Sequence, residues 1–195
     1  MTDHRLNRRA ILGSSVGMFG ALAAPGLLRA QDGGIRAEGG DGVSRNLSSF
    51  ASQRWQDHFE TLGVATIVAD TGSRALHYWN ATGDDYRVYP TSVPLSEELT
   101  RRGYTEIVRK REGPDWTPTA SMVERNPDLR YMPPGPDNPL GTHAMYLTWP
   151  AYLIHGTHDT RKIGRPSSDG CIGLYNEKIE ELFALCPVGT QVRII

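Results

Sequence analysis

Cysteine is scarce in this chain: Cys171 and Cys186 are the only two in 195 residues. Two cysteines cannot build a disulfide framework, and without CxxC couples there is no structural zinc site of the usual kind. Whatever Cys171 does, it is expected to do as a thiol. An excess of one charge is lacking too. The 21 Lys and Arg stand against 22 Asp and Glu, a formal charge of −1. That balance argues against a basic track along nucleic acid and against capture by an anionic membrane surface. No apolar run reaches the ~18 to 20 residues of a spanning helix. What is present, 38% hydrophobic residues with 21 Gly and 13 Pro, fits a globular protein of one modest domain whose partner must be sought in a site.

The first thirty residues read as an export signal. Arg5, Arg8 and Arg9 precede the weakly apolar run 10–24, and Leu28-Arg29-Ala30 offers a small residue for cleavage. Arg8-Arg9-Ala10-Ile11-Leu12 resembles a twin-arginine signal, although Asn7 and Gly13 depart from the usual flanks. With no cysteine near the junction, lipid attachment there is excluded. Cleavage after Ala30 leaves 17 basic against 21 acidic residues, a charge of −4, on an exported, periplasmic domain without stable membrane insertion. Residues 31–46, rich in glycine and scattered charge, are expected to be a flexible tether.

Folding is expected to start near Leu47. Ser48 or Ser49 can cap a short lead-in helix over 47–63 with Phe50, Trp55, Phe59 and Leu62 on one face. Short β-prone runs follow over 64–69, 75–79 and 86–89, broken by Asp70-Thr71-Gly72 and Gly83-Asp84-Asp85. A helical turn over 95–102 and a strand over 106–110 lead to the stretch 113–139. Its seven prolines argue for a long ordered excursion without regular structure, and loops of that length usually carry function. Strands over 144–149 and 152–155, a helix over 176–185 and a strand over 191–195 complete the chain.

Chemistry concentrates between the strand 152–155 and the helix 176–185. A thiol with a pKa near ~8.5 is largely protonated at neutral pH, so a nucleophilic cysteine needs a base, and an imidazole near ~6.5 suits the task. His155 and Cys171 are candidates for that pair. Gly170 lets the backbone before the sulfur approach a substrate, and amide N–H groups around Ser168-Asp169-Gly170-Cys171 are candidates for holding an oxyanion. His58, His77 and His143 are expected to be structural or exposed. A zinc site from His155, His158 and Asp159 is conceivable by residue type, but no spacing singles it out, and neither metal nor cofactor is expected.

The run IHGTHDTRKIGRPSSDGCIGLYNEKIEEL, over 154–182, resembles the signature of the L,D-transpeptidase (YkuD-like) catalytic domain, in which His-Gly-Thr is followed about fifteen residues later by Ser-x-Gly-Cys. Trp116-Thr117-Pro118-Thr119 with Met122, the segment 135–141, and Pro187-Val188-Gly189-Thr190-Gln191-Val192 resemble that family's flanking motifs in the same order. The resemblance covers 64–195 and implies a mainly β fold with minor α: a β-sandwich or mixed-sheet catalytic domain with a helix after the catalytic cysteine. It implies that Cys171 is the nucleophile, His155 its base, the Gly156 backbone carbonyl the group that orients the imidazole, and the Gly170 backbone N–H an oxyanion donor. Thr157, Ser168 and Asp169, with Tyr131 and Met132 from the excursion, become candidate substrate-binding residues. Two positions depart from the pattern. Asp169 stands where relatives often have His or Ser, and Gly173 where Arg or Asn is usual, so a cation that could meet a carboxylate is missing; His158 or Arg161 is a candidate replacement.

The activity so implied is transfer of a peptidoglycan stem peptide, through a thioester on Cys171, to an amine of another stem. An outer-membrane protein or lipoprotein is a second kind of acceptor. Water attacking the same thioester would instead make a carboxypeptidase or amidase. A non-catalytic wall-binding protein is the third reading, though such a module has no reason to keep His155, Gly170 and Cys171 together. The resemblance also implies that carbapenems acylate Cys171.

Overall fold

The computed structural model of the chain describes residues 51–195. The export segment 1–30, the tether 31–46 and residues 47–50 of the expected lead-in helix lie outside the described residues.

Five strands come first: β1 (Ala65–Asp70), β2 (Ala75–Asn80), β3 (Tyr86–Pro90), β4 (Val93–Pro94) and β5 (Gly103–Glu112). The helix α1 (Ala120–Arg125) follows, then β6 (His143–Leu147), β7 (Leu153–His155), β8 (Pro166–Ser168) and β9 (Ile172–Gly173). The helix α2 (Asn176–Leu185) and the strand β10 (Gln191–Ile194) close the chain. Eight strands form one mixed sheet in the order β3-β2-β1-β10-β5-β6-β7-β9, and β4 pairs with β8 beside it. The C-terminal strand is therefore internal, parallel to β1 and antiparallel to β5.

Local chemistry accounts for the turns. Asp70 Oδ1 accepts from the N–H groups of Gly72 and Ser73 at 2.9 and 3.0 Å, which folds the β1–β2 connection back on itself. β1 is buried from Ala65 to Ala69 and reads as a continuous small and apolar run because both of its faces are covered. One face of the sheet carries the main core, where Ile67, Ile107, Met145, Ile154 and Ile172 meet Ile179, Leu182 and Cys186 of α2 and its end. Full burial of Ile179 and Leu182 contributes about 1.5–3 kcal/mol each to fixing that helix.

The expected mainly β fold with a helix after Cys171 is the one observed, as a single curled mixed sheet. Two expected elements differ. The described part of the lead-in is one 3-10 turn, Trp55–Asp57, without a side-chain cap; Trp55 from that turn and Phe59 from just beyond it pack against Leu62, Val68 and Trp79. The excursion, expected to be irregular, contains α1. Thr119 Oγ1 accepts from the Met122 N–H at 3.3 Å and starts that helix immediately after Pro118. Pro118 and Pro127 bracket too short a window for hydrophobic periodicity to reveal it.

Candidate active site

β7 and β9 lie parallel, with His155 opposite Gly173. Alternation along β7 sends Ile154 into the main core and Leu153 into a smaller apolar cluster with Leu140 and Ala144, against which Trp116, Tyr146 and Cys171 pack. His155, two residues beyond Leu153, faces the same side. Both His155 and Cys171 line a cavity of about 380 Å³. A second cavity of about 700 Å³ shares Cys171, Asp169, Trp116, Met122 and Leu140 with the first, and adds Arg109, Arg111 and Arg125. Cys171 thus stands where two cavities meet.

The imidazole is oriented by backbone. His155 Nδ1 lies 2.5 Å from the Gly156 carbonyl oxygen, which can only accept, so the proton is on Nδ1 and Nε2 keeps its lone pair. Gly156 is itself wedged against α2: a Cβ there would stand 2.3 Å from Asn176 Oδ1 and 3.0 Å from Ile179 Cγ2. Burial pulls His155 down to about 4, opposed by the Gly156 hydrogen bond and aided by the charge of Lys162.

Cys171 is half-buried, and its Sγ donates to the Ala151 carbonyl at 3.5 Å. Burial pushes the thiol up to about 11; the Leu153 backbone N–H works against that shift and the Asp169 charge adds to it. A neutral thiol and a neutral imidazole therefore share the site at neutral pH. Cys186 is a free, buried thiol on the core side, pushed up to about 12 by burial.

The turn before the sulfur is tightly specified. Gly170 has φ +127°, a conformation that L side chains rarely adopt, and a Cβ there would meet Tyr152 Cε1 at 3.3 Å and the Leu99 carbonyl oxygen at 3.4 Å. Its N–H has only a long contact, 3.4 Å, to Ser168 Oγ. Ser168 Oγ donates to the Cys171 carbonyl at 2.6 Å, so this hydroxyl closes the turn. Thr157, also on the cavity wall, is buried and engaged with Asp159 on its own loop, its Oγ1 accepting from the Asp159 N–H at 3.1 Å. Asp169 forms an ion pair with Arg125 at the end of α1, tying the excursion to the cysteine turn.

Backbone bonds between Trp116 and Met132 place Met132 on the cavity wall, whereas Tyr131, the alternate residue, is 57% exposed and lines neither cavity. Of the two candidates to replace the missing cation, Arg161 pairs with Asp159 and is 86% exposed, while His158 lines the cavity. Ser92 and Lys162 also line it and were not singled out from sequence. Ser92 arrives by a long-range bridge to Gly173 that no local pattern announces.

The YkuD family model, the L,D-transpeptidase catalytic domain, matches residues 65–194. Over its whole length the chain is similar to a Fuscovulum blasticum protein from the ATP synthase subunits region, open reading frame 5. The two are 64% identical over 197 residues, 100% of both chains. An Escherichia coli K12 relative, ErfK/SrfK, is 38% identical over 135 residues, covering 66% of this chain. Both relatives carry the name L,D-transpeptidase provisionally. The chain spans 43% of the length of the Escherichia coli relative. A solved L,D-transpeptidase from Mycobacterium smegmatis shares the fold with a TM-score of 0.55 at 18% identity, over 68% of this chain and 59% of that one.

Proposed function

From the membership of this chain in the L,D-transpeptidase catalytic domain family, we propose that it is a peptidoglycan L,D-transpeptidase in which Cys171 is the nucleophile and His155 the general base. The observation that carries the assignment is one cavity lined by both side chains, with the imidazole proton held on Nδ1 by the Gly156 carbonyl. Nε2 is then left to take the thiol proton.

Sγ attacks the carbonyl of the diamino acid at position three of a stem tetrapeptide while its proton moves to Nε2. The tetrahedral intermediate collapses as the carbon–nitrogen bond breaks and His155 returns that proton to the leaving amine. Terminal alanine departs and a thioester remains on Cys171. The acceptor amine then attacks the thioester and loses a proton to His155; the carbon–sulfur bond breaks as the new amide forms, and His155 passes that proton to Sγ, restoring the thiol. One amide replaces another, so no ATP is consumed, which suits an exported, periplasmic enzyme. Because thiol and imidazole start neutral, proton transfer accompanies attack. Backbone N–H groups of Gly170 and Cys171 are the proposed oxyanion donors.

The meeting of two cavities at Cys171 favours an amine acceptor over water: the donor acyl group occupies one while the acceptor enters by the other. That acceptor is a second stem, or an outer-membrane protein or lipoprotein. Intact mass recorded during turnover of a tetrapeptide stem tests the chemistry. An acyl adduct on Cys171, absent from Cys171→Ala, is expected; turnover without an adduct, or with Cys171→Ala, overturns it.

A further inference from the structure

Beyond His155, the cavity wall carries polar groups that acyl transfer as described leaves unused: Asp137, His158 and Ser167, and the pair Ser92 and Lys162. Ser92 is 4% exposed, and its backbone is bonded to Gly173 in both directions. Among the described residues its hydroxyl has no hydrogen-bond partner, and because the residue lines the cavity that oxygen is open to a ligand there. Its position is tied to the glycine opposite. A Cβ on Gly173 would stand 2.4 Å from Ser92 Oγ and 3.8 Å from His155 Cε1. The hydroxyl therefore fills the space beside the imidazole that a side chain at position 173 would take.

Lys162 ends the 3-10 turn Thr160–Lys162 and lines the same cavity. Asp159 and Arg161 pair with one another, and Asp169 with Arg125. The Lys162 ammonium, in contrast, has no ion pair or hydrogen bond among the described residues, and its charge is felt at His155 and at Asp159. A hydroxyl donor and a cation without an ion pair, lining one cavity, form a receptor for a carboxylate.

The reaction supplies such a group at that place. To return its proton, the imidazole must come within about 3 Å of the leaving nitrogen. In a C-terminal residue a single Cα separates that nitrogen from the carboxylate, so the carboxylate falls beside His155. Resting on the acyl-transfer reading, we propose that Ser92 and Lys162 form a subsite for the terminal carboxylate of the residue expelled from the donor. The subsite stands in for a cation at position 173 and restricts the donor to stems whose scissile bond precedes the last residue.

The test compares two synthetic stem tetrapeptides that differ only in a free or an amidated C-terminus. Binding to Cys171→Ala protein is measured by calorimetry, and turnover by wild type is measured in parallel. The free acid is expected to bind about tenfold or more tightly than the amide. Lys162→Gln or Ser92→Ala in the same background should bring that ratio towards one. Gly173→Ala should do the same while leaving both residues in the sequence, because its Cβ would stand 2.4 Å from Ser92 Oγ and displace that hydroxyl. Equal binding of acid and amide, or a ratio unmoved by Lys162→Gln, overturns the subsite. Turnover without discrimination sinks the subsite and leaves acyl transfer standing. Discrimination in binding without turnover sinks acyl transfer and keeps the subsite.

Discussion

Replacing Gly156 by alanine would test the link between fold and site through its effect on stability. The new Cβ would stand 2.3 Å from Asn176 Oδ1, 3.0 Å from Ile179 Cγ2 and 3.2 Å from the Thr142 nitrogen. Ile179 is fully buried and Asn176 opens α2, so neither can withdraw freely. Overpacking of this kind costs about 1–3 kcal/mol. Displacing Asn176 also breaks its hydrogen bond from the Thr142 N–H, 3.2 Å, for about 0.5–1.5 kcal/mol more. Together these lower stability by roughly 2–4 kcal/mol, a fall in melting temperature of roughly 5–15 °C. Two controls calibrate the number. Gly164→Ala meets nothing within 4 Å but has φ +79°, so it should cost about 1–2 kcal/mol from backbone strain alone. Gly135→Ala meets nothing and needs no unusual φ, so it should be neutral or slightly stabilising. Thermal and urea denaturation of the three variants provides the comparison. If Gly156→Ala melts no lower than Gly164→Ala, the packing argument around the imidazole's carbonyl partner is wrong.

Alkylation of Cys171 by iodoacetamide should accelerate about tenfold per pH unit from pH 6 to 10, because a thiol pushed up to about 11 is about one part in ten thousand ionised at pH 7. A rate already level from pH 5 to 8 would instead mean a preformed thiolate–imidazolium pair. Asp169→Asn removes a charge that raises the thiol pKa, so its alkylation profile should move to lower pH; an unmoved or upward-shifted profile counts against the field effect. Stability should change by less than about 1 kcal/mol, since the partners Arg125 and Asp169 are 50% and 42% exposed. A carbapenem should add one mass equivalent at Cys171, none at buried Cys186 and none in Cys171→Ala, and peptide mapping that located the adduct elsewhere would contradict the assignment.

Much of the fold was legible where burial imposes a period. α2 has the bounds expected, 176–185, because Ile179 and Leu182 with Cys186 repeat at helical spacing and all go into the core. β1 and β2 begin or end within a residue of their expected limits, since punctuation by Asp70-Thr71-Gly72 coincides with a side-chain-stabilised turn. The two- and three-residue strands β4, β8 and β9 were not legible, because long-range pairing rather than local pattern creates them. The candidate site divides in the same way. His155, Ser168 and Cys171 lie in one contiguous run and could be named together, and Met132 was reached through its excursion. Ser92 and Lys162 carry no local signal, since their interest arises only from the cavity they share. Asp169 was legible as a departure, but its partner Arg125 was not, because α1 had no sequence signature and its C-terminal end is brought to the turn by the excursion.

Incubation of the mature protein with purified muropeptides, with products resolved by mass, bears most directly on the proposal that Cys171 transfers stem peptides to amines. Tetrapeptide stems should yield crosslinked dimers with loss of one terminal alanine per bond formed, and Cys171→Ala should yield none. Shortened monomers alone would identify water as the acceptor, and unchanged stems with wild-type protein would contradict the account.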